Sequence, residues 1–284
     1  MAEEIIGGYR LLKHMVTGQT SQVWEVVESA SNRHFAMKLL LPERARDPLH
    51  RKLIKHEATV GKQLAHPNII KIVHVLKDPK NPGFVMEFFP AGSVHLRLLG
   101  KQFDYIREKA HAILKQAATA LAFMNAKGWV HKDVKLDNIL ANGVGDVRLI
   151  DFALSERMVT GLAKLFRRKA KAAGTRSYMS PEQIRGLPLD ARADIYSFGC
   201  SAYELVAGRP PFRGITSHDL LTKHITEKPA SPCFHNPNVT EEFADLVLRM
   251  LQKKKEDRPR DFHEVLMQLR NLRVFSNEPQ KTEV

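Results

Sequence analysis

Cysteine is nearly missing from this chain. Two residues in 284, Cys200 and Cys233, are too few for a disulfide framework and lack the paired spacing of a structural zinc site. A reducing, cytoplasmic setting is the expectation. Long apolar runs are missing as well: no window of about 18 uncharged apolar residues occurs, so no membrane-spanning helix is expected. The opening Met1-Ala-Glu-Glu-Ile-Ile-Gly-Gly8 has neither the basic region nor the apolar stretch of a signal peptide. No internal repeat or low-complexity segment stands out. Negative charge is in deficit, with 31 acidic against 44 basic side chains and a net charge of +13. The excess clusters at Lys164–Lys171 and Lys253–Lys255. Such clusters attract nucleic acid, anionic lipid or acidic protein. No zinc-finger spacing or aromatic RNA-binding signature accompanies them, so nucleic acid is the least supported partner.

What is present is an ordinary globular composition, 43% apolar and 26% charged, long enough for one large domain or two small ones. Two alternating runs, Tyr9–Val16 and Val23–Val27, flank Thr17-Gly-Gln-Thr-Ser-Gln22 and predict a hairpin. His34–Leu41 reads as a third strand, and Ile69–Val75 and Gly83–Glu87 as two more. Between them Arg51–Leu64 has a helical apolar stripe through Leu53, Ile54, Val60 and Leu64, stopped by His66-Pro67-Asn68. Pro90–Ser93 is a turn with Ser93 as a helix cap. From Tyr105 the pattern becomes helical: Ile106, Ala110, Ile113, Leu114, Ala117, Ala120, Leu121 and Met124 recur at three- and four-residue steps, closed by Lys127-Gly128. Further helices are expected near Glu241–Leu251 and Phe262–Leu272.

The densest chemistry lies in Trp129–Asp151. His131-Lys-Asp-Val-Lys-Leu-Asp-Asn138 carries four charges and an imidazole between apolar runs, and Val147–Ile150 then delivers Asp151-Phe152-Ala153. Polar groups held at the ends of buried strands are costly to position and usually serve chemistry. A solvated turn is the plain alternative.

The spacing resembles the protein kinase family, whose catalytic loop reads H-R-D-x-x-x-x-N and is followed by D-F-G. Lys38 after Phe35-Ala-Met resembles the V-A-I-K lysine, Glu57 its helix partner, and Ser180-Pro-Glu182 the A-P-E motif. Gly174-Thr-Arg-Ser-Tyr-Met-Ser-Pro-Glu-Gln183 resembles eukaryotic-like serine/threonine kinases of bacteria. The resemblance spans about Tyr9 to Arg273. It implies an α+β, bilobal fold: a small lobe (9–88) of five antiparallel strands and one helix, and a larger, mainly helical lobe (91–273). Together these make a 9–273 kinase domain, with residues 1–8 and 274–284 as short tails.

The resemblance further implies transfer of the γ-phosphoryl group of ATP to a protein serine or threonine hydroxyl. Asp133 would act as base and Lys135 would neutralise phosphoryl charge. Magnesium would be held by Asn138 and Asp151. The nucleotide-binding positions would be Val16, Gly18, Ser21, Val23, Ala36, Lys38, Glu57, Glu87, Phe89 and Leu140. Asp194 would hold the catalytic-loop backbone, Arg258 would pair with Glu182, and Thr175 would touch Asp133 and Lys135. Thr160, Thr175 and Ser177 are the candidate phosphorylation sites, and the basic Lys164–Lys171 stretch hints at an acidic partner or substrate.

Five departures from the family pattern stand beside these matches. Val16 and Ser21 replace glycines over the phosphates, and Gly61 stands where a bulky side chain usually packs on the Phe of D-F-G, which predicts a loosely docked helix. Lys132 replaces the arginine of H-R-D, and Ala153 the glycine of D-F-G. They keep a second reading open: a scaffold that binds nucleotide or partners with little phosphotransfer.

Overall fold

A computed structural model of the chain describes residues 4–158 and 173–277. The chain divides into two compact units, one running up to Pro90 and taking in Ile150–Ala153, the other made of the remainder.

The first unit contains strands β1 (Ile5–Ile6), β2 (Tyr9–Thr17), β3 (Ser21–Glu28) and β4 (His34–Leu40), helix α1 (Pro48–Lys62), and strands β5 (Ile72–Val75) and β6 (Gly83–Glu87). They form one antiparallel sheet in the order β1-β2-β3-β4-β6-β5. This is six strands, not five. The extra edge strand pairs Ile6 with Tyr9 across Gly7 and Gly8, whose φ values of +59° and +86° suit a tight hairpin that residues with a side chain would resist. The β2–β3 turn is also shorter than expected, with Thr17 already paired to Gln22.

Strand alternation sorts the sheet's two faces. Phe35, Met37 and Leu39 enter a core cluster with Ile6, Tyr9, Val26, Leu76 and Val85. Ala36, Lys38 and Leu40 therefore take the opposite face. Helix α1 begins at Pro48, three residues before the expected Arg51, and ends at Lys62, two before Leu64. Asp47 caps it by accepting from the Leu49 N–H at 2.8 Å, and Pro48 occupies its first turn.

The second unit begins with β7 (Gly92–Ser93), α2 (Val94–Leu99), α3 (Phe103–Ala126) and β8 (Trp129–Val130). It continues through β9 (Ile139–Ala141), β10 (Val147–Leu149) and β11 (Glu156–Arg157) to α4 (Pro181–Ile184), α5 (Ala191–Ala207), α6 (Ser217–Thr226), α7 (Glu241–Met250) and α8 (Phe262–Asn271). The whole predicted stripe of α3 is buried, and Gly128 ends it at φ +80°. Helix α5 is the axis of this unit: every residue from Ala193 to Val206 is buried. Most of its polar members are satisfied, the buried Tyr203 hydroxyl being the exception among the described residues. Ser197 donates to the Tyr178 carbonyl at 2.7 Å, Ser201 to the Ser197 carbonyl at 2.9 Å, and Tyr178 donates to Glu204. Among the described residues no helix is long and apolar enough to cross a membrane, and both cysteines are free.

Candidate active site

The polar loop His131–Asn138 is shaped from beneath by Asp194. The His131 N–H donates to Asp194 Oδ2 at 2.9 Å, the Lys132 N–H to Oδ1 at 3.0 Å, and Asn125 Nδ2 adds a third bond at 3.0 Å. Burial pushes the Asp194 carboxyl upward, and the donated N–H groups oppose that shift. Its place in the first turn of α5 favours the ionised form through the helix dipole. Lys132 is held at φ +72°, a left-handed conformation costing a non-glycine residue about 1–3 kcal/mol. Three contacts pin it: the Asp194 bond, a 2.8 Å bond from Gln183 Nε2 to its carbonyl, and a 2.8 Å ion pair between its ammonium and Glu156.

Asp133 follows, and every group around it is a donor. The N–H and hydroxyl of Thr175 both donate to Oδ1 at 2.8 Å, while Lys135 Nζ lies 2.8 Å from Oδ2 and also donates to Thr175 Oγ1 at 2.7 Å. Asn138 Nδ2 donates to the Asp133 carbonyl at 2.8 Å. Burial opposes ionisation of Asp133, but Lys135 and Thr175 together hold it below the usual carboxylate range. The result is a fixed anion, suited to orienting a hydroxyl more than to removing a proton from a distance. With its nitrogen committed to Asp133, the Asn138 amide leaves its oxygen as the outward acceptor.

In the first unit Lys38 Nζ bonds both oxygens of Glu57, at 2.7 and 2.8 Å, and lies 3.8 Å from Asp151 Oδ1. Burial works against the ammonium, yet the Asp151 and Glu57 carboxylates hold Lys38 above the ordinary lysine range. Burial, with the nearby charge of Asp151, pushes Glu57 up to about 7 against the pull of Lys38. Asp151 stands at φ +67° and accepts from the Ala153 N–H at 3.3 Å. Ala153 itself is not left-handed, so its methyl strains nothing here.

Gly61 does not leave the hole that its size suggests. A Cβ there would lie 2.5 Å from Ile72 Cγ1 and 3.3 Å from Phe152 Cδ2, so Ile72 fills the space and Phe152 is fully buried. Together with the closed Lys38–Glu57 pair, this overturns the expectation of a loosely docked α1.

Of the nucleotide positions, Val16 pairs with Val23, Val23 with Lys38, and Ala36 with Met86 across adjacent strands. Gly18 closes the hairpin by donating its N–H to the Ser21 carbonyl at 2.8 Å, and Val16 is 54% exposed. Glu87 ends β6 opposite Phe35, and Phe89 is buried beyond it. Leu140, in the second unit, pairs with Ser93 and Arg148. The Glu182–Arg258 pair is present with bonds of 2.7 and 2.9 Å, its guanidinium 0% exposed. Thr160 and the Lys164–Lys171 stretch lie outside the described residues.

Sequence reasoning missed Gln183, Glu156, Asn125 and the conformational demand at Gly174. Gln183 had a signal: Ser180-x-x-Gln183 is a capping box, and its reciprocal bonds are formed. The pairing of Glu156 with Lys132 had none.

The first unit carries a buried Lys-Glu-Asp cluster and the second a donor-ringed aspartate, fixed charges of the kind that phosphate chemistry uses. More narrowly, the chain belongs to the protein kinase family: the protein kinase domain model matches residues 9–269. A "probable serine/threonine-protein kinase" of Clostridium acetobutylicum is 30% identical over 265 residues, covering 93% of this chain and 40% of that protein. Another so named, from Corynebacterium efficiens, is 32% identical over 261 residues, covering 88% and 39%. Serine/threonine-protein kinase PknB of Mycobacterium tuberculosis is 30% identical over 276 residues, covering 95% and 43%. The similarity is thus to eukaryotic-like serine/threonine kinases of bacteria. The chain spans about two-fifths of the length of the curated relatives it matches.

Proposed function

We propose that this protein is an ATP-dependent protein serine/threonine kinase. One observation carries the reading: Asp133, Lys135 and Thr175 are mutually bonded at 2.7–2.8 Å, so a carboxylate and an ammonium are fixed in hydrogen-bonding reach of one hydroxyl. Asp133 would orient and accept the proton of the acceptor hydroxyl, and Lys135 would balance the charge on the phosphoryl group in flight. Lys38, fixed by Glu57, would hold the nucleotide's phosphates. Val16, Gly18, Ser21, Val23, Ala36, Glu87, Phe89 and Leu140 would border the rest of the nucleotide.

The donor set of Asn138 and Asp151, one amide oxygen and one carboxylate, fits magnesium. That ion takes one or two protein oxygens and completes its shell with water and phosphate. Bound there, magnesium would neutralise phosphate charge. Asp133 is kept anionic by its own neighbours in either case. The two free cysteines accord with a reducing, cytoplasmic setting. An acidic partner at Lys164–Lys171 rests on charge alone.

The test is incorporation of label from γ-labelled ATP with magnesium, into the protein itself and a generic basic protein, beside Lys38→Met and Asp133→Asn. Strong labelling by the unaltered chain and a loss of two or more orders of magnitude in both variants is the expected result. Equal labelling in all three would sink the proposal. A second reading, a nucleotide-binding scaffold, draws on the Gly18–Ser21 bond, which closes the hairpin on itself. Nucleotide binding without transfer would favour it.

A further inference from the structure

The second unit carries a groove of about 620 Å³ that the catalytic groups do not touch. Its floor is apolar: Leu187, Pro188 and Leu189, with Leu187 45% exposed. Its sides come from α4 with the turn after it and from the loop between α7 and α8. Three carboxylates reach the groove, and all are committed. Glu182 spends both oxygens on Arg258, Asp190 bonds Arg192 at 2.8 Å and Lys255 at 3.0 Å, and Glu256 lies 3.8 Å from Arg192. The cations are not matched in the same way. Among the described residues no carboxylate pairs with Arg185 or Lys254, both exposed, and Lys253 donates only to the Tyr196 hydroxyl and the Lys223 and His224 carbonyls. Two exposed cations, Arg185 and Lys254, therefore flank an apolar floor without a carboxylate of their own among the described residues, while the Lys253 ammonium is spent on those three oxygens. A free surface gains little from that arrangement, whereas an incoming anion with an apolar side chain satisfies both halves.

We propose that the groove flanked by Arg185 and Lys254 and floored by Leu187–Leu189 docks an acidic peptide segment of a protein partner, with an apolar side chain seated between its carboxylates. The volume lies in the range of clefts that take a drug-sized ligand, room for a short run of peptide side chains. The bidentate fork of Arg185 suits a carboxylate, and the Lys254 ammonium supplies a second point charge. Phosphates of a single-stranded nucleic acid would meet the same cations but leave the apolar floor unused. Docking here is independent of phosphotransfer, so the proposal stands or falls separately from the kinase reading.

The probe is a fluorescein-labelled Glu-Glu-Leu-Glu-Glu-Leu peptide, titrated with the full chain by anisotropy. Binding at low salt that weakens as salt rises is expected, with a loss of about tenfold or more in the exposed double reversal R185E/K254E. Leu187→Asp should lower affinity for this peptide but not for an all-glutamate one. Circular dichroism and urea unfolding serve as folding controls, since none of these residues belongs to the buried core of the unit. Three results would overturn the proposal. One is no binding at low salt. A second is binding unaffected by R185E/K254E but abolished by neutralising Lys164–Lys171. The third is tight binding of labelled oligo(dT), lost in R185E/K254E, with none of the peptide.

Discussion

Two of the four described non-glycine residues held at positive φ lie in the candidate site, the others, Asn32 and Lys101, in turns outside it. Lys132 at φ +72° precedes Asp133, and Asp151 at φ +67° is itself a proposed metal ligand. Each is over-determined by its neighbours, the circumstance in which such a backbone persists. Gly174 is the third special point: at φ +127°, a Cβ would lie 2.9 Å from the Lys132 carbonyl and 3.7 Å from Asp133 Oδ1. Gly174→Ala should keep the fold but displace Thr175 from Asp133, lowering kcat roughly 10–100-fold with little change in KM for ATP. Steady-state kinetics beside circular dichroism would check this, and unchanged kcat would remove Gly174 from the argument. Asp133, Lys135, Asn138, Lys38 and Glu57 were all legible as residues, because the spacing of the motifs is local. The bonds from Gln183 and Glu156 to Lys132 join positions 51 and 24 apart, a separation that no local period encodes.

At the scale of elements, the docking of α1 turns on an exchange of bulk between helix and strand. Gly61 offers no side chain, and Ile72 on β5 occupies the space instead. Gly61→Leu should therefore overpack the site and destabilise by about 1–3 kcal/mol, despite restoring the family's usual residue type. Adding Ile72→Ala should recover much of that loss. Chemical denaturation of the two single variants and the double variant gives the coupling, and strictly additive effects would show that the two positions do not share the space.

Strand and helix periodicities were readable for most of the longer elements; helix α6, the four-residue α4 and the two-residue β11 were missed altogether, and the other misses fall at ends and edges. Strand β1 was overlooked because two residues make no period, although Gly7-Gly8 signalled the turn. Helix α1 starts at a cap and a proline, which count for more than the first apolar residue.

For the whole molecule, the buried polar groups set how stability answers to pH. His224 is fully buried, 3.0 Å from the Tyr196 hydroxyl through Nδ1, and packed edge-on to Phe212. Burial, then the charge of Lys253, lowers its pKa from 6.5 to about 3. The folded state keeps the imidazole neutral while the unfolded chain protonates near 6.5. Stability from this group is therefore intact above that pH and is lost as pH falls toward 3, at up to about 1.4 kcal/mol per unit. The difference between the unaltered chain and His224→Gln isolates the histidine. That difference should shrink steadily from pH 6.5 downward in urea unfolding, and a pH-independent difference would contradict the assignment.

The sequence by itself determined the family, the order and type of most of the longer elements, and the identity of the charged groups proposed for the chemistry. All of these rest on short spacings and on periods of two or about three and a half residues. Only the tertiary structure decided that Lys132 is committed to Glu156, that Ile72 makes good what Gly61 lacks, and that Arg185 and Lys254 are left without carboxylates among the described residues. Each of these depends on which distant groups compete for one partner or one volume. That competition is settled by packing density and by the cost of burying an unpaired charge, neither of which is written in any local stretch of chain.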